Sequence, residues 1–411
     1  MPHSLVSHRP SPDQVRLSRR VGQLGSLALA AISGFAVAVS TFAVESFSPA
    51  RLGAVMGVLF SMHLLRYRRF LFTREFALYV LLVCYMAIEL FWTEDLKLAM
   101  NALTPAVTLA VILLHFGSLA TDHDVQTVLL GTLGGIVTGA ALFTAISGFP
   151  FVYPAEFSYN ATAGMYLLGL FVALTLSCYM RSRIPALAVG AILLLLIVAT
   201  TSIKTNLGIL LGAATAGLVY AGRFVRALPR AAVPLIALAV IGLFAVSSNE
   251  ALVERLQRGG SRIAVGIEIL QSRDDAAGYS AANSRQQWMR TGLAGWVENP
   301  LFGHGVEGFR NRFGITSHST PVDLLYNSGL IGFGLFYAIF ASMAWRLYRM
   351  RHRVPRGAVA VILGGLVCYM FMSLTGTLYY SASLAVFVAL STALLSQRGK
   401  ARHPVASWST P

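Results

Sequence analysis

Apolar runs of helical length recur from Val21 to Leu395, separated by short polar segments rich in arginine. An α-helix rises 1.5 Å per residue, so roughly 20 apolar residues cross a hydrocarbon core about 30 Å thick. The pattern predicts about twelve such spans, at approximately 22–44, 50–65, 75–92, 98–117, 125–147, 159–180, 184–201, 205–221, 231–248, 322–345, 357–374 and 376–396. Barrel strands would alternate polar and apolar positions, and the chain does not. The expected fold class is an all-α polytopic membrane protein, with one large external loop that contains short helices. The chain divides into a disordered tail at 1–20, helices one to nine over 21–248, the loop at 249–321, helices ten to twelve over 322–397, and a tail at 398–411.

Composition agrees. Of 411 residues, 56% are hydrophobic and 12% charged, and mean hydropathy is +0.66. An average globular chain carries roughly 25% charged residues, so a soluble domain is excluded. The net charge of +15 would suggest nucleic acid on a soluble surface. Here clusters such as Arg66, Arg68 and Arg69 fall between apolar spans, without aromatic interleaving. Membrane lipids, not nucleic acid, are the expected surroundings. Arg16, Arg19 and Arg20, then Arg74, Arg181, Arg183, Arg223, Arg226, Arg230, Arg346, Arg349 and Arg398 all fall on one side of a twelve-span layout. The positive-inside rule makes that side, and both termini, cytoplasmic. The fourth-to-fifth connection, Gly117 to Asp124, lacks Lys and Arg. The first span is too long for a cleaved signal, and no Ala-x-Ala site leads into a soluble domain. Cys84, Cys178 and Cys368 all lie inside spans, where they read as small buried hydrophobes.

The loop at 249–321 carries eight arginines, Arg255, Arg258, Arg262, Arg273, Arg285, Arg290, Arg310 and Arg312, on the side where the rule disfavours them. Arginine binds phosphate in bidentate fashion and keeps its charge, so a lipid pyrophosphate is one target. The alternative is pairing with the loop's seven acids, Glu250, Glu254, Glu268, Asp274, Asp275, Glu298 and Glu307. Asn249–Gln257 reads as a short helix ended by Gly259 and Gly260. Ser284 is placed to cap a second helix that runs to Asn299 and Pro300. Trp288, Gly292 and Trp296 share one of its faces, either at headgroup level or packed on the ends of the spans. Pro300 to Gly305 is a turn punctuated by Gly303 and Gly305. Thr320 suits an N-cap, Pro321 the first helical position and Asp323 a capping-box-like partner.

His318 therefore stands just before a helix N-terminus, which favours a nearby anion. Imidazole titrates near neutrality and can act as a general base, and it can equally be a hydrogen-bonded structural residue. Lys204, in the turn after the seventh span, either snorkels or contacts phosphate. Asn160, at the start of the sixth span, either caps it or binds sugar hydroxyls. No Asp/His/Cys cluster has metal-ligand spacing, and no nucleotide-binding motif occurs.

Ser284-Arg285 with Trp288, Glu298 to Gly305 with Gly308-Phe309, and His318-Ser319 followed by Gly329 and Gly332 resemble the O-antigen ligase and Wzy_C-type polymerase superfamily. The resemblance implies a multi-pass bacterial inner-membrane glycosyltransferase without cofactor or metal. Its donor would be a glycan on undecaprenyl pyrophosphate at the periplasmic leaflet. Its acceptor would be a sugar hydroxyl, of lipid A core for a ligase or of another lipid-linked glycan for a polymerase. On this resemblance His318 is the base. Arg285 binds pyrophosphate, with Arg262, Arg290, Lys204 and Asn160 as further substrate-binding candidates. Pro300, Gly303, Gly305, Ser319, Gly329 and Gly332 are the motif's structural positions. Lys204 stands where many members carry arginine, and His304 where members often carry an apolar residue. A protein-directed oligosaccharyltransferase is a further relative. A transporter or flippase of the same lipid-linked glycan is the competing class. It would place ionisable residues in mid-membrane, and His63, Glu89 and His115 are the few here that do.

Overall fold

The computed structural model describes residues 12–42, 48–67, 72–122, 124–150, 158–200, 202–219 and 281–396. Among them are 13 helices and no strands. The first eight are α1 (Pro12–Phe42), α2 (Pro49–Tyr67), α3 (Arg74–Glu89), α4 (Leu96–Asp122), α5 (Val125–Ser147), α6 (Tyr159–Ser177), α7 (Ile184–Ala199) and α8 (Ile203–Val219). After the gap come α9 (Ala281–Trp296), α10 (Gly308–Phe313), α11 (Thr320–Met350), α12 (Arg356–Leu374) and α13 (Ala382–Ser396). By length and composition, six are fit to cross a membrane: α1 from Val21, α4, α5, α6, α11 and α12. The apolar parts of α2, α7, α8 and α13 are shorter. The chain is thus a multi-pass membrane protein, all-helical among the described residues, which hold fewer full-length spans than the twelve expected of the whole chain. The ninth expected span, the expected helix Asn249–Gln257 and Arg262 lie outside the described residues.

Several boundaries differ from expectation. Helix α1 starts at Pro12, inside the expected tail, where a proline without N–H costs nothing at a first helical position. Helix α4 continues past Gly117 to Asp122, so the expected fourth-to-fifth loop is mostly helix. Asp124 then caps α5, its carboxylate accepting from the Thr127 N–H at 3.3 Å. The span expected from 376 begins at Ala382, because residues 375–381 form an irregular turn.

Lipid tails are as apolar as leucine, so close backbone approach drives helix association in a membrane. Helix α5 carries Gly131, Gly135 and Gly139 along one face, against α1. A Cβ at Gly131 would lie 2.6 Å from the Leu27 carbonyl oxygen, and one at Gly135 would overlap that of Ala31. Helix α8 approaches α12 in the same way, Gly212 facing Gly364 and Gly208 facing Cys368. That contact fixes the position of Lys204 beside the end of α12.

One ion pair ties the far ends of three helices. Glu75, with a fully buried side chain, accepts from Arg346 Nε at 3.1 Å and Nη2 at 2.9 Å, and from the Ser342 hydroxyl at 2.8 Å. Arg346 Nη1 also donates to the Ser396 hydroxyl at 2.9 Å. Arg346→Ala is expected to strand the Glu75 charge and cost about 3 kcal/mol, the lower end for a broken buried pair, because the Arg346 side chain is 26% exposed. Glu75→Gln/Arg346→Met should cost less. Equal losses of thermal midpoint in detergent would show that the charge imbalance is not the cause.

Helix α11 is 31 residues long, about 46 Å at 1.5 Å per residue and longer than a 30 Å hydrocarbon core requires. It is broken at Gly329 (φ 61, ψ −162). The Pro300–Gly305 turn fills the break. His304 and Gly305 donate their N–H groups to the Tyr326 and Asn327 carbonyls at 2.9 and 2.8 Å. The Leu330 and Ile331 N–H groups donate to the Pro300 and Leu301 carbonyls at 2.9 and 3.3 Å. Backbone groups freed inside a membrane protein must be satisfied within it, and these four bonds do so. The part from Leu330 onward is alone long enough, at about 32 Å, to span, which leaves residues 320–328 for the site.

Two of the intramembrane ionisable groups, His115 and Glu89, hydrogen-bond to nearby serines. The His115 ring pairs with the Ser33 hydroxyl at 2.8 Å, 6.5 Å from the His63 ring centroid to centroid. Ser328 donates to Glu89 at 3.1 Å, next to the α11 break.

Candidate active site

A cleft of about 400 Å³ opens at the end of the bundle where α1, α4 and α6 meet the turn between α12 and α13. Lys204 and Asn160 line it, together with Thr41, Thr108, Thr377, Tyr380 and Ser383. The helix ends explain this. Lys204 is the second residue of α8, Asn160 the second of α6, and 375–381 the short turn that links α12 to α13.

Asn160 is not a cap. The N-cap of α6 is Ser158, which makes no side-chain cap bond. Asn160 Oδ1 instead accepts from the Ser202 hydroxyl at 2.9 Å, which couples α6 to the turn before α8. Lys204 Nζ lies against Gly376, where a Cβ would overlap it.

Gly376 links the lysine to the motif histidine. Its carbonyl accepts from the Thr320 hydroxyl at 2.6 Å and N–H at 3.2 Å, and the Thr320 oxygen accepts from the Leu378 N–H at 2.8 Å. Thr320 is therefore not the expected N-cap. Ser319 occupies that position, without a side-chain cap bond. Asp323 is not a capping-box partner either. Its two oxygens accept from the Ser317 N–H and the Thr377 hydroxyl, both at 2.9 Å. The reason is tertiary: Gly376, Thr377 and Leu378 of the 375–381 turn, with Ser317, supply the partners in place of the helix's own first turn.

This network holds His318. Ser317 and Ser319 are buried, and the Ser317 hydroxyl donates to the Ser319 carbonyl at 3.0 Å and accepts from the Ser319 N–H at 3.2 Å. His318 between them is exposed and adopts a left-handed backbone, φ 59. Among the described residues, the other non-glycine with positive φ is Glu307, φ 58, at the N-cap of α10. Strained backbone of this kind costs of order 1–3 kcal/mol and collects at functional sites. Glu307 is buried and accepts from the Tyr380 hydroxyl at 3.3 Å. Burial raises its carboxyl above the usual carboxylate range, against the opposing pull of Arg310.

The loop arginines divide. Arg310 pairs with Glu307 at 3.9 Å and Arg312 with Glu298 at 3.6 Å, as the loop-acid alternative anticipates. Arg290 is exposed on α9. Arg285 falls on the same helix, with its side chain outside the described residues. Ser284 lies within α9 and is not its cap, since the helix begins at Ala281 and ends at Trp296. The two tryptophans pack inward: Trp288 against Phe309 and Phe313 (6.4 and 6.0 Å), and Trp296 through a 2.9 Å bond to the Pro300 carbonyl. His304 stacks on Tyr326 at 4.4 Å, and its Nε2 lies 2.9 Å from the Gly295 carbonyl.

Sequence reasoning did not single out Thr377 or Tyr380, and it gave Asp323 and Glu307 other roles. The available signal was the run Thr375-Gly376-Thr377-Leu378-Tyr379-Tyr380, polar and aromatic between two apolar helices.

These features define a polytopic membrane protein whose cleft, at one end of the bundle, brings a cation, hydroxyls and an exposed histidine loop onto one framework. Residues 168–337 match the Wzy_C family, described as O-Antigen ligase, and the chain carries that domain from within α6 through the α11 break. Over that stretch it is similar to membrane proteins of the O-antigen ligase/polymerase glycan-transfer type. No curated protein matches the chain. Lys204 and His318 lie inside the matched stretch, whereas Asn160, Thr377 and Tyr380 lie outside it.

Proposed function

We propose that the chain is an O-antigen ligase-like glycosyltransferase that moves a glycan from undecaprenyl pyrophosphate to a sugar hydroxyl of lipid A core. The observation that carries this reading is the single turn, 375–377, that bonds to the base of the His318 loop and abuts Lys204 at the cleft wall. A base and a phosphate-binding cation then share one rigid support.

In the reaction, His318 takes the proton of the acceptor hydroxyl. The acceptor oxygen forms a bond to the anomeric carbon of the donor sugar, and the bond from that carbon to the pyrophosphate oxygen breaks. The leaving pyrophosphate keeps the electron pair, and Lys204 offsets its charge. Arg285, Arg290 and Arg262 supply further positive charge from the loop, and Asn160 holds a donor sugar hydroxyl. Pyrophosphate is already a good leaving group, so positioning and charge neutralisation carry most of the rate. Lysine provides a point charge without arginine's bidentate fork.

Orientation follows from parity. The C-terminal end of α1 and the N-terminal end of α13 both lie at the cleft, so the N-terminal end of α1 and the C-terminal end of α13 fall at the far end. That end also carries Arg181, Arg183, Arg349, Arg351, Arg353 and Arg356. The positive-inside rule then makes the far end cytoplasmic and the cleft periplasmic.

Deleting the chain in its source organism tests the reading. Full-length glycan left on the carrier lipid, with uncapped lipid A core, is the expected result. Single repeat units still transferred to core would identify a polymerase instead. Unchanged surface glycan and unchanged carrier lipid would sink both.

A further inference from the structure

Tyr380 and Lys204 line the same cleft and offer opposite chemistry to a ligand. Lys204 is a donor with no acceptor capacity. The Tyr380 hydroxyl donates its only proton to the Glu307 carboxylate at 3.3 Å. Its oxygen has two lone pairs, and the one not facing the adjacent Tyr379 hydroxyl is an acceptor, which repels a phosphate oxygen and welcomes an O–H donor. Glu307 is held for this contact by a left-handed backbone that a side-chain-bearing residue rarely adopts. Burial first, and Glu307 next, keep the Tyr380 phenol well above its ordinary range, so it stays protonated and is not itself a base. A donor phosphate at the Lys204 end and a separate, hydroxyl-bearing acceptor sugar at the Tyr380 end match this division.

We infer that Tyr380, oriented by Glu307, is the acceptor-sugar subsite: its oxygen accepts a hydrogen bond from a hydroxyl of the incoming sugar and sets that sugar opposite the phosphate end at Lys204. The inference rests on the glycan-transfer reading above and adds the residue that recognises the acceptor. Tyr380 is a binding residue in this assignment, and Glu307 a positioning residue that acts through it.

The test is steady-state transfer by the full chain in bilayer nanodiscs, from undecaprenyl-pyrophosphate-linked glycan to purified lipid A core, each varied in turn. Losing one neutral hydrogen bond is worth about fivefold to tenfold. Tyr380→Phe should raise the acceptor KM by about that factor and leave the donor KM within about twofold. Glu307→Gln keeps an oxygen that accepts the Tyr380 proton and should stay near wild type, whereas Glu307→Ala should follow Tyr380→Phe. An unchanged acceptor KM in Tyr380→Phe overturns the assignment, as does an equal rise in both KM values, which would make Tyr380 a wall of the cleft only. If Tyr380→Phe does not fold, as judged by its thermal midpoint, the contrast between Glu307→Gln and Glu307→Ala decides the same question: equal acceptor KM values in those two overturn the assignment. Absence of transfer by the wild-type chain would instead remove the transfer reading, and this subsite with it.

Discussion

His318→Asn is expected to lower glycan transfer by about 10²- to 10⁴-fold, the usual contribution of a general base, with the membrane level and thermal midpoint near wild type. Asparagine is the right replacement because the site needs a left-handed residue, φ 59. Asn and His tolerate that region better than Ala, so His318→Ala would mix backbone strain with lost chemistry. The side chain is exposed, and bonds of Ser317, Ser319 and Asp323 hold the loop. Stability should therefore change little. Transfer by the purified variant at saturating donor and acceptor is the measurement. A rate within about threefold of wild type, far short of a general base's contribution, would make His318 a structural residue and end the base mechanism proposed here.

Gly329→Ala is expected to be the most destabilising of the small substitutions. A Cβ there would overlap the Leu301 carbonyl, and the residue sits at φ +61. Neither can yield. The Leu301 carbonyl accepts from the Ile331 N–H, and Pro300 beside it accepts from Leu330. Adding strain to overpacking gives roughly 3 kcal/mol or more. Gly334→Ala, in the same helix with nothing within 4 Å of its Cβ, is the control. It should be neutral or slightly stabilising, since alanine is the better helix former. Thermal midpoints of the two variants in detergent decide the matter. Equal midpoints would mean that the α11 break is not what Gly329 supports.

The His318–Ser319, Gly329 and Gly332 spacing was visible in the sequence, but its cause was not. Gly303 and Gly329 look like independent turn residues along the chain. Folded, a Cβ at Gly303 would overlap the Asn327 carbonyl, and one at Gly329 the Leu301 carbonyl. The two glycines are one backbone-to-backbone contact seen from both sides. Thr320 and Asp323 show the same limit. Helix-start chemistry assigns them to capping, because local rules consider only near neighbours. The Thr320 hydroxyl and one Asp323 carboxylate oxygen go instead to Gly376, Leu378 and Thr377, more than fifty positions away.

By itself the sequence determined that this is an all-helical, multi-pass membrane protein, because hydrophobic period and run length are local properties that the bilayer reads directly. It also determined the family resemblance and marked His318, Lys204 and Asn160, since short motifs survive as strings. The tertiary structure alone decided which of these share a support. It placed Lys204 and Asn160 in one cleft, tied that cleft to the His318 loop through the 375–377 turn, and brought in Tyr380 with Glu307. The physical reason is that backbone and side-chain polar groups in a membrane protein must find partners inside the protein. Which partner each group finds depends on how the helix ends meet, and helix-end packing is not written in any one segment.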